Sequence, residues 1–133
     1  MKRPCLAALT LVLVAGCESG LDRPVREVTA QVGSDQIQRV TVIAHSFYFD
    51  PNRIVLKRGV AVELTVKNGA MLVPHNLSCE AQDAGIEIFA DVGMFHGSKT
   101  VRFTPTQAGE FHFFCHVDGH AKKGMTGTLV VLP

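Results

Sequence analysis

The sequence predicts an all-β domain, a two-sheet Greek-key sandwich, on three observations. Apolar residues recur at every second position through short stretches from Ile37 onward. Turn-forming clusters separate those stretches. No stretch in that region carries a sustained helical stripe. A chain of 133 residues suits one domain. Seven or so short strands in just under a hundred residues fit a sandwich, which at that size buries a usable core without disulfides.

The strands follow in order. Val40 and Val42 alternate with Thr41 and Ile43, Phe47 and Phe49 flank Tyr48, and Ile54 and Leu56 flank Val55. Val60, Val62, Leu64 and Val66 alternate with Ala61, Glu63, Thr65 and Lys67. Later, Val101 and Phe103 stand against Arg102 and Thr104, and Phe111, Phe113 and Cys115 against Glu110, His112 and Phe114. The chain closes on Thr128 to Leu132. Asp50-Pro51-Asn52, Arg58-Gly59, Lys67-Asn68-Gly69 and Gln107-Ala108-Gly109 supply turns. Only Cys79 to Asp91, with Ala81, Ala84, Ile86 and Phe89, has room for a turn or two of helix.

Ahead of this region lies a different kind of sequence. Lys2 and Arg3 precede an apolar run from Leu6 to Ala15, the layout of a secretory signal and too short for a spanning helix. The run ends in Val14-Ala15-Gly16-Cys17, which resembles the lipobox of bacterial lipoproteins. That resemblance implies a signal peptide over residues 1–16 and lipid on Cys17. It places the mature protein on the periplasmic side of a bacterial membrane. Residues 17–36 are polar, contain Gly20, Pro24, Gly33 and Ser34, and read as a lipid-anchored tether. The domain is then expected over 37–133. Loss of Lys2 and Arg3 lowers the basic count from 13 to 11 against 12 acidic residues, so the mature chain is nearly neutral. No basic patch for nucleic acid is indicated.

Cys5 leaves with the signal and Cys17 is the anchor, so the domain keeps Cys79 and Cys115. Two thiols in an exported protein ordinarily suggest a disulfide. The sequence around Cys115 argues otherwise. Phe111 to Met125 contains Cys115, His120 and Met125 beside Gly119 and Gly124, and the glycines allow the tight turns that would bring the three donors together. His75, within Val73-Pro74-His75-Asn76, offers a second imidazole from another strand region. A thiolate and thioether combined with imidazoles suit copper, and two His and one Cys with a weak axial Met make an electron-transfer copper site. Asn76 could tie the two ligand-bearing segments together by hydrogen bonds.

Taken together, these segments resemble the cupredoxins, the family of plastocyanin and azurin. The resemblance runs from about Val40 to Leu132. It is carried by Phe47 to Pro51, Val62 to Asn68, Val73 to Asn76 and Gly109 to Met125. It implies one type 1 copper ion with His75, Cys115 and His120 as equatorial ligands and Met125 as the axial one. The spacing, four residues between Cys115 and His120 and four more before Met125, is longer than in plastocyanin and is also found in multicopper oxidases. Those enzymes flank the cysteine with histidine on both sides, whereas here Phe114 precedes it, and one small domain cannot supply a three-copper centre. A binuclear thiolate site would take two cysteines from one loop, and this loop offers only Cys115. Cys79 therefore reads as a small buried residue behind the site. His45, His96 and His112 read as surface or strand residues, His116 as a loop residue, and Met71 and Met94 as core or rim packing.

The resemblance implies a monomer that carries single electrons between transient redox partners, held at the membrane through Cys17, and performs no bond chemistry itself. The alternative is a copper carrier or chaperone that delivers metal to another envelope protein. A small reductase or oxidase would need an open copper position, against which Met125 speaks.

Overall fold

The computed structural model describes residues 23–133; the signal peptide and Cys17 lie outside the described residues. Alternation builds the core. In β3 (Gln38–His45) the inward positions are Gln38, Val40, Val42 and Ala44, and in β6 (Val62–Asn68) they are Val62, Leu64, Val66 and Asn68. These two strands pair in parallel, Val40 opposite Leu64. β2 (Gln31–Val32), β4 (Tyr48–Asp50) and β9 (Ser98–Phe103) complete this sheet, β2 and β4 on β3 and β9 on β6. The second sheet runs β1 (Glu27–Thr29), β5 (Arg53–Lys57), β11 (Thr126–Leu132), β10 (Gly109–Phe114), β7 (His75–Ala81) and β8 (Ile86–Gly93). Both sheets mix parallel and antiparallel pairs.

Between the sheets, Ile54, Leu56, Leu64, Leu77, Ile86, Ile88, Phe113 and Leu129 are almost wholly buried, each contributing about 1.5–3 kcal/mol of transfer free energy. Phe49 meets Phe113 edge to face at 5.3 Å between ring centroids. Gln38 is a buried polar residue. Its amide nitrogen donates to the carbonyls of Lys57 (2.8 Å) and Val60 (2.9 Å), and its oxygen accepts from Lys57 N–H (2.9 Å). A buried amide so satisfied fixes the β5–β6 turn rather than costing stability.

Three expectations need correction. The tether does not extend to Gln36: β1 pairs with Arg53–Val55 and β2 with Gln38–Arg39. Arg26 N–H also donates to Asn52 Oδ1 (2.8 Å), and the Arg26 guanidinium pairs with Asp50. These edge strands expose all their side chains; backbone pairing and the Glu27–Arg53 ion pair hold them, and the alternation of Val28, Ala30 and Val32 is too short to mark a buried strand. Second, Cys79 to Asp91 holds only a short 3-10 turn at Gln82–Ala84, and the strand that follows buries Ile86, Ile88, Ala90 and Val92 at period two. Phe89, counted toward a helical face, points to solvent. Third, Phe47 is not in a strand; it sits in the turn before β4 with φ 68°.

Among the described residues no helix is long and apolar enough to cross a membrane.

Candidate metal centre

β10 ends at Phe114, and Cys115 follows into the core, 1% exposed. The chain then turns back on itself. His120 N–H donates to the Val117 carbonyl (3.0 Å), Met125 N–H to the His120 carbonyl (3.1 Å) and Cys115 N–H to the Met125 carbonyl (3.1 Å). The last two bonds make Cys115, His120 and Met125 backbone neighbours despite their separation in sequence. Gly119 (φ 75°) and Gly124 (φ 91°) take the left-handed conformations that close the two turns, on either side of a 3-10 turn at Ala121–Lys123.

His75 arrives from β7. It stands opposite Gly93 where the β7–β8 register shifts, and β7 lies against β10 through Ser78 and Phe114. Adjacent strands lie close enough to carry its ring to the mouth of the Cys115 loop. The donor atoms of His75, Cys115 and His120 lie within 4.8 Å of one another. Cys115 Sγ is 3.5 Å from His120 Nδ1, and the two imidazole centroids are 5.1 Å apart. Met125 is fully buried, its backbone bonded to Cys115 and His120.

The fit to a metal rests on His75. Its ring is fully buried, and neither Nδ1 nor Nε2 has a hydrogen-bond partner. Such a polar group is costly unless something takes a nitrogen lone pair. A soft thiolate donor, two imidazoles and a buried thioether suit one type 1 copper ion. Electrostatics agree. Burial pushes the His75 pKa down to about 4, with the nearby His120 and His45 adding to the effect. His120 is likewise lowered, by burial first and then by Lys123, with Asp118 opposing. Both rings are thereby kept in the neutral form that ligation requires.

Around these donors, Asn76 Oδ1 accepts a 2.7 Å hydrogen bond from His116 N–H, joining β7 to the loop after Cys115. Two further residues stand out whose contacts at the site the sequence does not reveal. Asn68 is buried and donates from Nδ2 to the carbonyls of Val73 (2.8 Å) and Gly93 (2.6 Å), while its oxygen accepts from Ala70 N–H (2.7 Å). It clamps the two loops that flank His75; an Asn-Gly after an apolar strand reads only as a turn. Phe47 packs edge-on against His120 at 4.9 Å and carries Lys123 Nζ at 3.9 Å over its ring. Cys79 is buried on β7 as a free thiol, His45, His96, His112 and His116 lie outside the donor cluster, and Met71 and Met94 are exposed rim residues.

The family model for the cupredoxin-like domain matches residues 6–131. The chain belongs to the cupredoxin-like family. Solved cupredoxin-type structures share the fold. The metal-binding domain of the Cu(I)-exporting P-type ATPase CopA of Streptococcus pneumoniae D39 is 23% identical, with a TM-score of 0.65 over 84% of this chain and 100% of that one. Auracyanin from Roseiflexus castenholzii is 21% identical, with a TM-score of 0.61 over 71% and 97%. Auracyanin A from Chloroflexus aurantiacus, a "blue" copper protein, is 22% identical, with a TM-score of 0.55 over 71% and 99%. No curated protein sequence matches the chain. Membership of this family supports copper binding and electron transfer in general.

Proposed function

We propose that this cupredoxin is a type 1 copper protein that carries single electrons between redox partners of the bacterial envelope. His75, Cys115, His120 and Met125 would hold the ion. The observation that carries this reading is that the His75, Cys115 and His120 donor atoms lie within 4.8 Å of one another and are at most 6% exposed, with Met125 fully buried. Copper supplies a centre that cycles between two oxidation states. The chain supplies the rest. Strands β7 and β10 fix two donors, backbone hydrogen bonds fix the other two, and the buried surroundings exclude water. A frame of this kind keeps geometry constant when the charge changes, which suits electron exchange. The edge of His120, the most exposed donor, is the natural port.

Delivery of copper to another protein is the second reading, favoured by the likeness to the Cu(I) ATPase domain. Hand-off needs donors that a partner's ligands can approach, and burial of three of the four disfavours it. We further infer that Val14-Ala15-Gly16-Cys17 directs lipid onto Cys17, which holds a monomeric carrier at the periplasmic face of a membrane. The deciding experiment pairs two rates on the copper-loaded protein: electron exchange with a small redox reagent, and copper loss to a strong chelator. Fast exchange with slow loss is expected. Slow exchange with rapid transfer to the chelator would favour delivery. Mass spectrometry of the mature N-terminus tests the lipid on Cys17.

A further inference from the structure

The first described residues leave the fold beside the metal centre. Arg23 lies over the Tyr48 ring, its guanidinium carbon 4.4 Å from the centroid, and Tyr48 stacks on His45 at 4.6 Å. The preceding residue, Phe47, touches His120. Arg26 is tied to Asn52, whose carbonyl accepts from Thr128 N–H (2.9 Å), three positions past Met125. Six Cα steps separate Cys17 from Arg23. At about 3.5 Å each they span roughly 21 Å when fully extended. An anchor at Cys17 therefore keeps the metal end of the sandwich within roughly 21 Å of the bilayer.

That end is also built unlike the rest of the surface. Leu72 and Phe95 are 69% and 68% exposed at the tips of two loops joined by the Phe95 N–H to Met71 carbonyl bond (2.7 Å). Phe95 is held there at φ 57°, a conformation uncommon for a non-glycine residue. Arg23, Arg26, Lys122 and Lys123 rim the same end, against Asp50, which pairs with Arg26, and Asp118. At the far end of β7, roughly 20 Å away at about 3.3 Å per residue, Glu80 stands directly opposite Glu87 beside Asp83, with Lys57 and Arg58 offsetting them. Exposed apolar tips ringed by cations are the composition of a surface that lies in the headgroup region of an anionic bilayer.

We propose that the metal-bearing end docks on the anionic phospholipid surface that holds the anchor, with Leu72 and Phe95 entering the interface and the arginines and lysines meeting phosphates. This rests on the lipid-anchor reading of Cys17. It places the copper centre at headgroup level, where it meets redox partners embedded in the same bilayer.

The chain contains no tryptophan, so a single indole reports position. Leu72→Trp and Ala108→Trp, the latter at an exposed turn of the opposite end, are made in the full chain. Each protein is isolated from membranes, and retained copper colour shows that it is folded. Both are then added to phosphatidylglycerol vesicles with brominated acyl chains. The Leu72→Trp indole is expected to be blue-shifted and quenched several-fold more than the Ala108→Trp indole, and replacing phosphatidylglycerol by phosphatidylcholine should remove the difference. Phe95→Trp repeats the test from the second tip. Equal quenching at the two ends would overturn the proposal and leave this face to a protein partner. Flotation of the same vesicles in high salt reads the anchor separately. A chain that fails to float refutes lipid on Cys17, while quenching at low salt still decides the docking face.

Discussion

Cys79 and Cys115 are the same residue type, equally buried at 1% exposure, one within β7 and the other just past the end of its neighbour β10, and they are suited to different fates. Cys79 lies within β7 opposite Ile88, among apolar residues. Burial, with Glu80 adding, pushes its thiol up to about 11. A thiol that stays protonated is neither nucleophile nor ligand. Cys115 lies one residue past the end of β10, where a loop returns His120 to within 3.5 Å of its sulfur and His75 faces both. Burial therefore does not make a ligand. Convergence does, and convergence occurs where a strand hands over to a turn.

The largest expected effect breaks this pair apart. Cys115→Ser should abolish the intense visible thiolate-to-Cu(II) charge-transfer band, and Cys79→Ser should leave it close to wild type. The absorption spectrum of copper-loaded protein decides. If Cys79→Ser also bleaches the protein, the two thiols are not distinct and the mononuclear assignment fails.

A second prediction sharpens the contrast between metal-free and loaded protein through His75. Its pKa is about 4 in the fold against 6.5 for an ordinary imidazole. Between those values the unfolded chain holds a proton that the folded chain does not. The metal-free protein should therefore be stable above about pH 6.5 and lose stability as the pH falls toward 4, where the loss levels off. At about 1.4 kcal/mol per unit of pKa, the loss is on the order of 3 kcal/mol. Urea titrations from pH 7 to 4 measure it. The same series on His75→Gln should lack this component; an unchanged pH profile there would assign the loss to other groups.

How much of this could be read from sequence divides along the same line. Strands that bury one face announce themselves, as β3 and β6 do through Val40, Val42, Leu64 and Val66, and the donor residues announce themselves by chemical type and spacing. Elements held by backbone pairing do not. β1 and β2 expose their side chains, so the short alternation of Val28, Ala30 and Val32 among polar residues reads as tether. β8 was obscured because Ile86 and Phe89 fall three apart, a spacing a helix also uses, although Phe89 faces solvent. Asn68 and Phe47 escaped for a third reason. Their roles depend on contacts across the fold, from Asn68 to Val73 and Gly93 and from Phe47 to His120, which no local pattern encodes.

The β7 side and the loop side are joined by the bond from His116 N–H to Asn76 Oδ1. Asn76→Ala should cost about 1 kcal/mol of stability, the usual net value of such a bond. It should also speed copper loss to a chelator with the colour retained. Denaturation and chelator kinetics measure the two effects. Unchanged kinetics would mean that the two sides hold the metal independently.

The smallest effect concerns Met125, where backbone and side chain do separate work. The loop is closed by the Met125 carbonyl accepting from Cys115 N–H and the Met125 N–H donating to His120, and neither bond involves the thioether. Leucine preserves both bonds and nearly the same volume, and such swaps in a core cost under about 1.5 kcal/mol. The thioether, as a weak axial donor, favours Cu(II) over Cu(I) by adding electron density to the more charged ion. Met125→Leu should therefore keep copper and its visible band while raising the reduction potential, as read by redox titration of that band. A lowered potential would contradict the axial role. Loss of copper with the fold intact would mean that the thioether holds the metal rather than tunes it, and the division between a loop closed by backbone and a potential set by side chain would have to be abandoned.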